Sequence, residues 1–65
     1  MTEKVTSLEF AERMGRKVGT ARREHDQSRV NFQRDYFRRW LALEPVENKR
    51  SLEDAYNRGY SEEAV

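Results

Sequence analysis

The sequence predicts an all-α protein: a short helix, a long central helix and a C-terminal helix folded back, completed by dimerisation. Three observations predict it. Apolar residues recur at three- and four-residue spacing, and no stretch alternates apolar with polar over the length of a strand. The 65 residues also hold only 3 Gly and 1 Pro to interrupt helices.

The first helix is expected at about 7–16. Thr6 and Glu9 have the Thr-x-x-Glu spacing of a capping box and lead into Leu8, Phe10, Ala11 and Met14. Gly15 and Gly19 then bracket Arg16-Lys17-Val18 as a C-cap and turn. Thr20 can cap a second helix, which meets no Gly or Pro before Pro45 and is expected over about 20–43. Residues 45–50 read as a loop. Ser51, with Asp54 three residues on, restarts a helix over about 51–61 through Leu52, Ala55, Tyr56 and Tyr60. Gly59 is expected to weaken that helix by about 1 kcal/mol relative to Ala. A single small domain, 1–65, with partly disordered ends, accounts for the chain.

Its core must be lean. Leu, Val and Phe total 12 residues, Ile is absent, and 38% of the chain is charged. A domain this small buries only about 60% of its unfolded surface. Seven aromatics offset the shortage, four of them within residues 32–40. Val30, Phe32, Tyr36, Phe37, Trp40, Leu41 and Leu43 spread over roughly 180° of the long helix at about 100° per residue. A stripe of about 100° suffices for a helix to face its own core. Half a cylinder of large side chains exceeds what two short helices cover, so a second copy is expected to cover the rest. Leu52, Tyr56 and Tyr60, at i, i+4 and i+8, offer the matching surface. The short connection lets the third helix fold back, antiparallel, onto residues 30–43.

Net charge hides a block structure. The total is +1, from 13 Lys and Arg against 12 Asp and Glu. Residues 1–12 carry −2, residues 13–39 carry +6 and residues 40–65 carry −3. Ten of the 13 basic residues are Arg, the cation suited to bidentate contact with carboxylate or phosphate. Arg13, Arg16, Lys17, Arg22, Arg23 and Arg29, with Thr20, form the expected face for an acidic protein surface or nucleic acid. Against this stands a solvated face neutralised by i, i+4 partners: Glu9–Arg13, Glu12–Arg16, Arg22–Asp26, Asp35–Arg39, Asp54–Arg58 and Arg58–Glu62. Each such pair contributes only about 0.2–0.5 kcal/mol.

An alternative reading is a DNA-binding regulator with a degenerate helix-turn-helix at residues 7–29. Gly15 would sit at the turn, and Thr20-Ala21-Arg22-Arg23 would open a recognition helix. The second half of the pattern fails, because Arg16 and Glu24 stand where apolar residues are needed.

No catalytic, cofactor or metal constellation is evident, and the chain is expected not to be an enzyme. His25, the sole histidine, lies between Glu24 and Asp26 in the most polar stretch and reads as a solvated surface residue. Glu53-Asp54 and Glu62-Glu63 are adjacent on helices, so each pair points about 100° apart instead of converging. Cysteine is absent, which removes disulfides and thiolate zinc sites. There is no signal-peptide pattern and no apolar run of membrane length, so a cytoplasmic protein is expected. The functional expectation is a small regulatory or interaction protein that acts by binding, as a homodimer, without membrane or small-molecule substrate.

Overall fold

The computed structural model describes residues 6–64, and these form three helices: α1 (Ser7–Arg23), α2 (Gln27–Ala42) and α3 (Val46–Ala64). The all-α class, the start of the first helix and the end of the helix before Pro45 are as expected; the other helix boundaries are not. Residues 1–5 and 65, where frayed ends were expected, lie outside the described residues.

α1 starts where the capping signal places it, with the Thr6 hydroxyl accepting from the Glu9 backbone N–H at 3.1 Å. It does not end at Arg16. Gly15 and Gly19 are buried inside a helix that runs on to Arg23. The chain turns instead at Glu24-His25-Asp26, within what the sequence suggests is one continuous helix over 20–43. His25 takes a left-handed φ of 59°. Its N–H donates to the Arg22 carbonyl at 3.0 Å, and the Asp26 N–H donates to the Ala21 carbonyl at 2.9 Å. This is a Schellman C-cap with His where Gly is usual. Asp26 then caps α2, its carboxylate accepting from the Arg29 N–H at 3.1 Å. Two expected results test this corner. Asp26→Ala should cost about 1 kcal/mol, because it leaves orphan N–H groups at the start of α2. His25→Gly should raise the thermal midpoint by a few degrees, since Gly enters the left-handed region without a Cβ clash.

α3 begins at once after Pro45, so residues 46–50 of the expected loop are helix, and Ser51 is interior. Proline fits just ahead of a first turn, where its missing N–H has no intrahelical partner to lose. The Pro45 carbonyl accepts from the Asn48 N–H at 3.0 Å. The helix also continues beyond residue 61, to Ala64.

Packing revises the expected topology. α3 does reverse against α2, and Phe37 stacks on Tyr56 with ring centroids 4.2 Å apart. Its most intimate partner, however, is α1. Gly15 faces the Tyr56 backbone, Gly19 faces Tyr60 and Glu63, and Gly59 faces the Glu12 backbone, so numbering rises together along a parallel crossing. Ala11, Gly15 and Gly19 on α1, and Ala55 and Gly59 on α3, recur every fourth residue on one stripe. Without side chains in the way, the two backbones come into direct contact. Gly15 and Gly59 are therefore the sites of closest approach, and the weak helix propensity of Gly59 is offset by that contact. Arg16 clips the same crossing at its edge, donating to Glu12 at 2.6 Å and to Glu62 at 3.0 Å.

Two apolar clusters complete the core. One joins Ala11, Met14, Phe37, Leu52 and Ala55, with Phe10, Trp40, Leu41 and Tyr56 against it. The other joins Val18, Ala21 and Val30, flanked by Tyr56 and Tyr60. Tyr56 thus belongs to both.

Candidate interaction surfaces

The apolar half-cylinder of α2 is divided by the fold. Val30 and Phe37 point inward and are 1% and 6% exposed, while Trp40 and Leu41 are half-buried at the margin. Phe32, Tyr36 and Leu43 remain outside, 67%, 51% and 84% exposed. This is the split that the helical arc implies: α1 and α3 cover one edge and leave the other. The outer edge is continuous with the core through Phe10, whose ring lies 6.4 Å from Tyr36 and 4.6 Å from Trp40. On α3, Leu52 is buried, while Tyr56 and Tyr60 are half-buried and face α1 and α2. All three tyrosine and leucine positions are therefore used within the monomer.

The basic residues do not form a single face. Arg16, Lys17, Thr20 and Arg29 gather with Gln33 around one hollow. Arg16 is already paired there with two glutamates, and Arg29 pairs with Glu24 at 3.0 Å. Arg13 lies beside Glu9 and Glu12. Arg22 points the opposite way, toward α2 and α3. Arg23 is exposed in the last turn of α1. Of the i, i+4 pairs suggested by spacing, Glu12–Arg16 forms, as does Asp35–Arg39 at 3.1 Å. Arg22–Asp26 cannot form as a helical pair, because the helix ends between them.

The same corner removes the helix-turn-helix geometry at 7–29. Gly15 is mid-helix, and Thr20, Arg22 and Arg23 close α1 instead of opening a second helix. The turn lies nine residues further on than that motif needs.

A groove that the sequence does not suggest runs between α2 and α3. Two hollows of about 220 and 270 Å³ share Arg34, Tyr56 and Asn57. Val18 and Val30 line the first, and Phe37 and Leu41 line the second. Arg22 and Arg34 border the first hollow, Arg34 and Arg38 border the second, and Glu53 is the one carboxylate lining either. Burial pushes the Tyr56 hydroxyl above its ordinary pKa of 10.0, opposed by the nearby positive charges of Arg34 and Arg38. The only sequence signal for this site was the one-turn spacing of Arg34 and Arg38.

His25 is exposed at the corner, and among the described residues no three acidic or histidine side chains converge as metal ligands. No described helix is long and apolar enough to cross a membrane. No family model matches the chain, and no curated protein or solved structure is significantly similar to it.

Proposed function

We propose that this protein is a non-enzymatic helical binding module that pairs with a second copy through the outer edge of α2 and engages acidic partners through its arginines. The observation that carries this reading is the row Phe32, Tyr36 and Leu43. Phe32 and Tyr36 lie one turn apart on one edge of α2, Leu43 follows at its C-cap, and all three are exposed beside a half-buried Trp40. Scattered exposed apolar residues need no explanation, but a contiguous row next to the core marks an interaction surface. Aromatic residues are also enriched where interfaces bury them.

Self-association links stability to concentration, because the dimer forms only from folded chains. The thermal midpoint of the parent should rise as protein concentration is raised. In Phe32→Ser/Tyr36→Ser it should become independent of concentration, with helix content retained, since neither side chain is in the core. A parent midpoint that does not move with concentration would count against pairing.

A further inference from the structure

We propose that the groove between α2 and α3 binds an acidic peptide segment of another protein, one that carries two large apolar side chains. This rests on the reading of the chain as a binding module, and not on its self-association. Charge is the first argument. Three arginines border the groove against a single carboxylate, Glu53. The ion pairs among the described residues engage Arg16, Arg29 and Arg39, none of which lies in the groove. Arg34 and Arg38 are one helical turn apart, about 6 Å. Carboxylates match that spacing at i, i+4 on a helix or at i, i+2 on an extended segment.

Size is the second argument. Each hollow is smaller than the roughly 300–1,000 Å³ of small-molecule sites, and their apolar floors suit side chains instead. The half-buried rings of Tyr56 and Tyr60 floor one hollow, and Tyr56 with the half-buried Leu41 floors the other, over the buried Val18, Val30 and Phe37. An apolar floor beneath an arginine rim is the arrangement used to capture acidic amphipathic peptides, with apolar anchors for affinity and charge for orientation. Asn57, shared by both hollows, supplies an amide for the peptide backbone.

The rings in the groove argue against nucleic acid. Phe37 is nearly fully buried and stacked on Tyr56 at an interplanar angle of 19°, so these rings do not offer free faces to bases.

The test is a selection of random 16-residue peptides displayed on phage, run in parallel on three full-length baits. These are the parent, Arg34→Glu/Arg38→Glu and Phe32→Ser/Tyr36→Ser. The parent and the Phe32/Tyr36 variant should both enrich acidic peptides with two large apolar residues. The arginine variant should not enrich them, and synthetic versions should bind it about tenfold or more weakly, because like charges now face each other. Both arginines are exposed, so that variant should match the parent in circular dichroism. If it does not, Arg34→Gln/Arg38→Gln replaces it, with the same weakening expected.

Overturning results are absence of enrichment, enrichment of basic or uncharged peptides, or equal binding to parent and arginine variant. Displacement of the selected peptide by a duplex or single-stranded oligonucleotide would also overturn it, in favour of a nucleic-acid site. Peptide binding by a strictly monomeric parent would leave this proposal standing and remove only the dimer.

Discussion

Gly15→Ala and Gly59→Ala are expected to lower the thermal midpoint by about 10–20 °C, although each replaces the poorest ordinary helix former with the best. Local propensity alone predicts a gain of about 1 kcal/mol per substitution. The crossing of α1 and α3 reverses the sign. A methyl at Gly15 would run into the Tyr56 carbonyl oxygen, and one at Gly59 into the Glu12 carbonyl oxygen. Both obstacles are backbone, so relief requires one helix to move off the other. Overpacking in cores typically costs about 1–3 kcal/mol, and rigid neighbours place these sites at or above the top of that range. A domain of this length has roughly 3–10 kcal/mol in total, and each 1 kcal/mol is worth about 4–8 °C. Gly19→Ala should be milder. Its added carbon would approach the Tyr60 carbonyl at 2.8 Å and the Glu63 side chain at 2.9 Å, nearer the end of the crossing. Urea and thermal melts followed by circular dichroism check the order. An increase in stability in Gly15→Ala would contradict direct backbone contact between the helices.

Phe37→Ala should cost about 3–5 kcal/mol, the largest effect of any side-chain truncation on α2. Phe37 is 6% exposed and links all three helices: it clusters with Ala11 and Met14 of α1, and with Leu52 and Ala55 of α3. It also contacts Trp40 at 5.7 Å between ring centroids and stacks on Tyr56. α2 touches α3 chiefly through such long side chains, not through its backbone, so losing this ring undocks the helix. Trp40→Ala should cost less, because Trp40 is only half-buried, against Phe10 and Phe37. Emission from Trp40 provides the readout, shifting to the red in Phe37→Ala as its surroundings become wetter. A melting curve for Phe37→Ala that matches the parent would mean α2 is held by something other than this ring.

The class and the apolar half-cylinder were legible because they depend on local periodicity. Val30, Phe32, Tyr36, Phe37, Trp40, Leu41 and Leu43 do share one side of one helix, and its outer edge is left uncovered. The break before α2 was harder to read. It lies at Glu24-His25-Asp26, where no Gly or Pro signals it, and a histidine takes the left-handed position. Two signals did exist. Residues 22–29 hold no apolar side chain, which interrupts the stripe between Ala21 and Val30, and Asp26 is a preferred N-cap type. Gly15 and Gly19 misled for a different reason. Glycine usually punctuates helices, and only the partner helix reveals that these two admit its backbone. Their four-residue spacing with Ala11, repeated by Ala55 and Gly59, was the available clue.

The arginines show the limit of block charge. Residues 13–39 are strongly basic in sum, yet the fold points Arg16 and Arg29 to glutamates and turns Arg22 to the far side, where it meets Arg34. Linear spacing finds pairs within a helix. It does not find Arg16–Glu62, 46 residues apart, nor the groove that three helices create together.

Sedimentation equilibrium of the full chain, from micromolar to millimolar concentration, tests most directly whether the outer edge of α2 is an interface between copies. The account predicts a mass that rises with concentration from 7.8 kDa toward twice that value, and a fixed monomer mass for Phe32→Ser/Tyr36→Ser. A parent that remains folded at 7.8 kDa throughout the range would contradict it.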